Sequence, residues 1–222
     1  MRDGGICGIL PGMLRQGVTL VVLICIAGCS ISSGPVVTAE IPQGFLLTEA
    51  QARATPHPEF ANEEFWDIYD DVARPFELNP CDRKTPADED RVAMRTITRL
   101  DSAPSSSLEQ LVLYTTPKAA EDALATLKDD ITDCEQPQRR KNNTLGWVGE
   151  PADIGDESLR VKGYHYTNGE SDGRPVDQWV VARRGAALFL YSSNPFEELE
   201  QRLTDQARQM AGKVCAIPDV CR

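Results

Sequence analysis

The chain has 222 residues, 41% of them apolar, enough to bury one substantial core. Its 34 acidic residues outnumber its 23 basic ones, giving a formal net charge of −11. That balance argues against nucleic acid as a partner, and an anionic membrane surface repels it as well.

Arg2 and Arg15 precede an apolar run of ten residues, Val18 to Ala27. A transmembrane helix needs about 20 residues, whereas the apolar region of a secretory signal needs about 7–15. The run therefore reads as a signal peptide, with Met13 as a second possible start. Small residues Ala27 and Gly28 stand just before Cys29, and Ile26-Ala27-Gly28-Cys29 resembles the lipobox of bacterial lipoproteins. That resemblance implies a diacylated Cys29 thiol and cleavage just before it. The expected organisation is a signal peptide over 1–28, a lipidated N-terminus and flexible tether over 29–44, and one domain over 45–222. Cleavage would leave 194 residues with 21 basic and 33 acidic side chains, net −12. Such a domain would sit at the outer face of the cytoplasmic membrane, its partner there being the bilayer that holds the acyl chains. Two or three chains anchor stably where one is marginal.

In the domain, Thr48-Glu49-Ala50-Gln51 fits a capping box and opens a short helix. Asn62 is placed to cap a second short helix through "EEFWDIYDD", residues 63–71. A loop rich in proline and acid follows over 74–90. "RVAMRTITRL" (91–100) and "LEQLVLYTT" (108–116) alternate as strands. Thr116-Pro117 then starts a helix whose apolar stripe is Ala120, Ala123, Leu124, Leu127 and Ile131. "TLGWVGE" and "ESLRVKGYHYT" (157–167) read as strands, "GESDGRP" as a turn, and 176–193 as a hairpin turning near Arg184-Gly185. Asn194-Pro195 caps a last helix, with Leu199, Leu203, Ala207, Met210 and Val214 at helical spacing. The fold class is α+β, an antiparallel sheet of about five to six strands with flanking helices.

Four cysteines remain in the domain: Cys81, Cys134, Cys215 and Cys221. An even count in an exported domain suggests two disulfides, with three connectivities open. Element order favours Cys81–Cys134, joining an early loop to a helix end, and Cys215–Cys221, closing a short loop around Pro218. Zinc is the weaker alternative, because there is no C-x-x-C pair and His57 and His165 stand in no ligand spacing.

No G-x-S-x-G, H-E-x-x-H, P-loop or G-x-G-x-x-G motif is present, so the sequence points away from an enzyme and implies no cofactor. Alternation puts His165 with Leu159 and Val161, the setting of a core histidine. Asp153, Asp156 and Glu157 crowd one segment, which reads as a solvated turn rather than a cation site. Asn142 begins an Asn-x-Thr sequon, taken as chance. The more informative pattern is basic and aromatic. Arg91, Arg95 and Arg99 share one strand face; Arg160, Lys162, Tyr164 and Tyr166 share another; Trp179 and Val181 share a third. If these faces coincide, Arg95, Arg160, Tyr164, Tyr166 and Trp179 form a surface for an anionic or sugar-like ligand, with the helices on the opposite, aliphatic face.

From residue 45 to 222 the chain resembles the PknH-like extracellular sensor domain of actinobacteria. The similar features are "GFLLTEAQ" at 44–51, "FW" at 65–66, "NPC" ending at Cys81 and the helix ending at Cys134. They continue through "IGDESLRV", the "VVARRGAALFLY" hairpin and the closing helix. The resemblance implies an antiparallel sheet with flanking helices, disulfides and a ligand cleft. The sequence carries no kinase domain, so a sensor role implies a signalling partner. The expected function is an envelope lipoprotein that binds an extracellular ligand such as a cell-wall fragment, lipid or small metabolite. The alternative is a module that docks an envelope protein and takes no small molecule.

Overall fold

Seven runs of alternating or fully apolar residues form one antiparallel sheet. They are β1 (Phe65–Tyr69), β2 (Arg91–Leu100), β3 (Ser106–Tyr114), β4 (Thr144–Ala152), β5 (Glu157–Thr167), β6 (Glu170–Arg184) and β7 (Ala187–Ser193). Their spatial order is β1-β2-β3-β7-β6-β5-β4, and every neighbouring pair is antiparallel. Three helices, α1 (Glu49–Ala54), α2 (Pro117–Cys134) and α3 (Leu199–Lys213), flank the sheet, and a 3-10 turn follows at Val214–Ala216. The computed structural model describes residues 37, 39–55, 64–82, 84, 89–100, 106–134, 144–193 and 199–222, to which all structural statements here refer. The signal region, Cys29, His57, Asn142 and the Asn194-Pro195 cap lie outside them. No helix among the described residues is long and apolar enough to cross a membrane.

The α+β class holds, with seven strands in place of the expected five to six. One of the added strands is β1, expected as a helix. Its Trp66 and Ile68 turn into the core while Phe65, Asp67 and Tyr69 face the other way, and all five residues pair with β2. A short aromatic and β-branched run completes a sheet edge better than it completes an isolated turn of helix. The expected "GESDGRP" turn is also strand. The reversal sits at Asn168-Gly169, both with positive φ (56° and 85°), the signature of a two-residue hairpin turn.

The sheet is covered on both faces. One face packs α2 through Leu124, Leu127 and Ile131 against Val112, Val161, Val181, Leu188 and Leu190. Thr116 caps α2 as expected, its Oγ1 accepting the Ala119 N–H at 3.1 Å. The other face packs α1 and α3 through Ala52, Leu203, Ala207 and Met210 against Ile97, Leu111, Val180 and Phe189. The expected open binding face is thus under helices. Val37 and Ile41 already belong to this second core, so the packed region begins ahead of the boundary expected at 45.

Both disulfides are present and join Cys81 to Cys134 and Cys215 to Cys221. The second closes the C-terminal turn over the β6–β7 hairpin, where Ala186 N–H donates to the Val220 carbonyl at 2.7 Å. Gly185 at that hairpin has φ +56°, and a Cβ there would run into the Val220 carbonyl, so the contact requires glycine. The Val37 N–H donates to the Thr115 carbonyl at 2.9 Å, just beyond the end of β3. Tyr114 N–H donates to the Ala186 carbonyl, so the attachment of Val37 and the C-terminal clamp share one end of the sheet.

Candidate functional site: a cleft between two helices

At the other end of β3, α1 and α3 part and leave a cleft of about 160 Å³. Ile97 and Arg99 of β2 and Glu109 of β3 reach it from the sheet; Arg202 and Gln206 border it from α3, and Trp66 from β1.

Glu109 is only 2% exposed and makes no ion pair among the described residues. Its charge is met by hydrogen bonds instead. Leu47 N–H and Thr48 N–H donate at 2.8 Å each, the Thr48 hydroxyl at 2.7 Å and the Tyr191 hydroxyl at 2.8 Å. A carboxylate with both oxygens occupied has little left to offer a ligand. Burial and the neighbouring Glu109 keep the Tyr191 phenol well above its ordinary range. The same contacts explain the N-terminus of α1. Thr48 stands at the cap, but its side chain makes no bond within the helix; a glutamate 61 residues away takes it instead. The expected capping box is therefore replaced by a tertiary cap.

Arg99 and Trp66 are positioned together. Arg99 Nε and the Trp66 indole N–H both donate to Glu64 Oε1 at 2.7 Å, and the guanidinium lies 5.8 Å from the Trp66 ring centroid. Arg202 is different. It is exposed, donates one long bond of 3.4 Å to Ser193 Oγ, and makes no ion pair among the described residues. Its helical neighbour Asp205 is occupied by Gln201 at 2.8 Å and Arg208 at 3.5 Å.

The five residues expected to form one binding surface are not brought together. Arg95 is 8% exposed and works as a structural clamp. It holds Asp70 at 2.7 and 3.0 Å, the Pro42 carbonyl at 2.8 Å and Glu49 at 3.2 Å. Its hydrogen bonds to Asp70 raise its already high pKa against the cost of burial. Burial acts to raise the Glu49 pKa, but hydrogen bonds from the Gly44 backbone and Arg53, with the Arg95 charge, outweigh it and hold the carboxyl below its ordinary value. Arg160 shares the α1/α3 face but lies four strand spacings from Arg95, roughly 19 Å away. It and Lys162 pair with Glu200 at 3.1 and 3.2 Å. Tyr164 and Tyr166 are half-buried beside them, beyond α3. Trp179 pairs with Val161 and is buried under α2, on the opposite face. His165, expected in the core, is exposed. Asp156 is engaged by Arg183, Arg184 and the Gly185 N–H, and Glu157 by Lys128, which accounts for that acidic segment.

Sequence reasoning missed Glu109, Trp66 and Arg202 as neighbours. Glu109 did leave a signal: Ser107, Glu109, Leu111 and Leu113 share a strand face, and a carboxylate there must be buried. Trp66 was hidden by the mistaken helix. Arg202 looks like any solvated residue on the polar stripe of a helix. Asp177, also unremarked, is pushed up to about 6 by burial, with the Trp179 indole and the Gln178 N–H opposing. It lies on the α2 face, away from the cleft.

No protein-family model and no curated protein match the chain. Among solved structures it is similar to the extracellular domain of PknH from Mycobacterium tuberculosis, at 8% identity and a TM-score of 0.46, over 77% of this chain and 94% of that one. The family resemblance read from the sequence is thus met by a weak fold-level likeness and by no match in sequence.

Proposed function

We propose that this is a ligand-binding module, held at the outer face of the cytoplasmic membrane by acyl chains on Cys29, and that its ligand enters the cleft between α1 and α3. The observation that carries the reading is Arg202, an exposed guanidinium that makes no ion pair among the described residues, at the mouth of a cleft in an acidic protein. Disulfide pairing of all four domain cysteines supports an oxidising location. Ile26-Ala27-Gly28-Cys29 supports the lipid anchor. The module acts by binding rather than catalysis: Glu109 is saturated by four donors, and Asp177, the carboxyl shifted toward neutrality, is on the far face.

Two measurements test this. Native mass spectrometry of the protein purified from an envelope fraction should show a non-covalent adduct that is lost on denaturation. A bare mass would count against the binding module. Cys29→Ser should release the chain from the membrane fraction, and continued membrane retention would remove the lipid anchor. A docking role for an envelope protein is favoured by one observation, the far end of β5, where Tyr164 and Tyr166 share a face and are half-buried. Crosslinking to a protein through that surface, with no small-molecule adduct, would select it.

A further inference from the structure

The cleft's chemistry narrows the ligand class, granted the reading that the cleft is the ligand site. Its one buried carboxylate has no acceptor capacity to spare, so the site does not recognise a cation. What remains at the surface of the cleft is the Arg202 guanidinium, a pure donor, and the carboxamides of Gln51 and Gln206, which donate or accept. Trp66, Ile97 and Leu203 supply apolar contact. An exposed guanidinium on such a lining selects an anion, because it binds carboxylate and phosphate through paired N–H bonds.

Size sets the second limit. The cleft, at about 160 Å³, is smaller than the roughly 300–1,000 Å³ of a drug-sized site. A cavity of about 150 Å³ holds one benzene ring. The cleft is open on one side, so it seats at most one six-membered ring with its substituents outside, and it does not enclose a lipid chain or an oligosaccharide. We propose that the cleft takes a single anionic sugar ring, a sugar acid or sugar phosphate, whose charge is bound by Arg202 and whose ring lies against Trp66.

The structure supplies its own reporter. Of the three tryptophans, Trp147 and Trp179 pack under α2 and only Trp66 borders the cleft. Its indole N–H resonance can be followed while the purified protein is titrated with glucuronate, glucose 6-phosphate, glucose and inorganic phosphate. The acidic sugars should shift the Trp66 signal and bind at least tenfold more tightly than glucose. Comparing the two acids shows whether carboxylate or phosphate is preferred. Arg202→Gln should weaken the acidic sugars about tenfold and leave the melting temperature unchanged.

Equal binding of glucose and glucuronate would overturn the proposal, as would full affinity in Arg202→Gln. Inorganic phosphate binding as tightly as glucose 6-phosphate would show that the ring contributes nothing, and would overturn it too. If an uncharged co-purified molecule shifts Trp66 while the acidic sugars do not, only the anion is wrong and the cleft remains the ligand site. A Trp66 signal unmoved by the acidic sugars and by any co-purified molecule overturns both.

Discussion

The two faces of the sheet are built differently. Under α2 the contacts are mainly aliphatic and aromatic; the buried polar groups there include a neutral pair, Gln110 Nε2 donating to Thr96 Oγ1 at 2.7 Å, and the single carboxyls of Asp130 and Asp177. Under α1 and α3 the apolar packing is as extensive, yet Glu49, Arg95 and Glu109 are threaded through it. Apolar packing is non-directional and closes every gap it can. Directed hydrogen bonds hold helices at set positions without filling the space between them, and it is on the face of the Arg95–Glu49 network that a cleft persists. Both faces carry stability, and one of them also carries the cleft.

The sharpest way to break this contrast is Arg95→Met. It leaves Glu49, fully buried, with Arg53 as its remaining cation beside its backbone donors, and releases the half-exposed Asp70. Loss of one partner from a buried ion network costs about 4 kcal/mol. The denaturation midpoint should fall accordingly, and the cleft should be disturbed because α1 loses its clamp. If Arg95→Met is neutral, the charged face is held by packing after all.

Leu124→Ala tests the opposite face. Truncating this fully buried residue of α2 should cost about 3 kcal/mol through lost burial and the cavity left behind. Ligand-induced shifts at Trp66 should be preserved. A change in binding as large as the change in stability would show that the faces are coupled.

Asp177 offers a smaller, pH-dependent comparison. In the folded chain its carboxyl titrates near 6, against an ordinary value of 3.8. Between those values the folded state keeps a proton that the unfolded chain has released. The contribution of this group is therefore most favourable at low pH, declines as pH rises from about 4 to about 6, and is unfavourable at neutral pH. Asp177→Asn should remove that decline and raise stability at pH 7.5 by on the order of 2 kcal/mol, with a smaller gain at pH 4.5. Equal gains at both pH values would rule out the shifted titration.

Much of the fold was legible because its signals are local. β2, β5 and α2 fall where alternation, an apolar stripe and a Thr-Pro start place them. β1 was not legible. Five residues are too few to show a period, and their strand character comes from pairing with β2, a partner distant in sequence. The binding surface failed for a related reason. Alternation says which residues of one strand share a face, but pairing decides which faces coincide. Arg160 lies opposite Val180, so Trp179, one residue before, turns to the other side. The clamp made by Glu109 depends on a contact across 61 residues, which no local pattern contains.

The position of Val37 has a consequence for what the cleft can meet. Ser107, at the cleft, lies eight residues before Thr115, the partner of Val37, which is roughly 27 Å along an extended strand. If Cys29 carries the acyl chains, the eight residues 29–36 reach at most about 29 Å. Such a leash is about as long as the strand that separates its attachment from the cleft. It would keep the domain within reach of the bilayer while leaving the cleft free to meet molecules from either side.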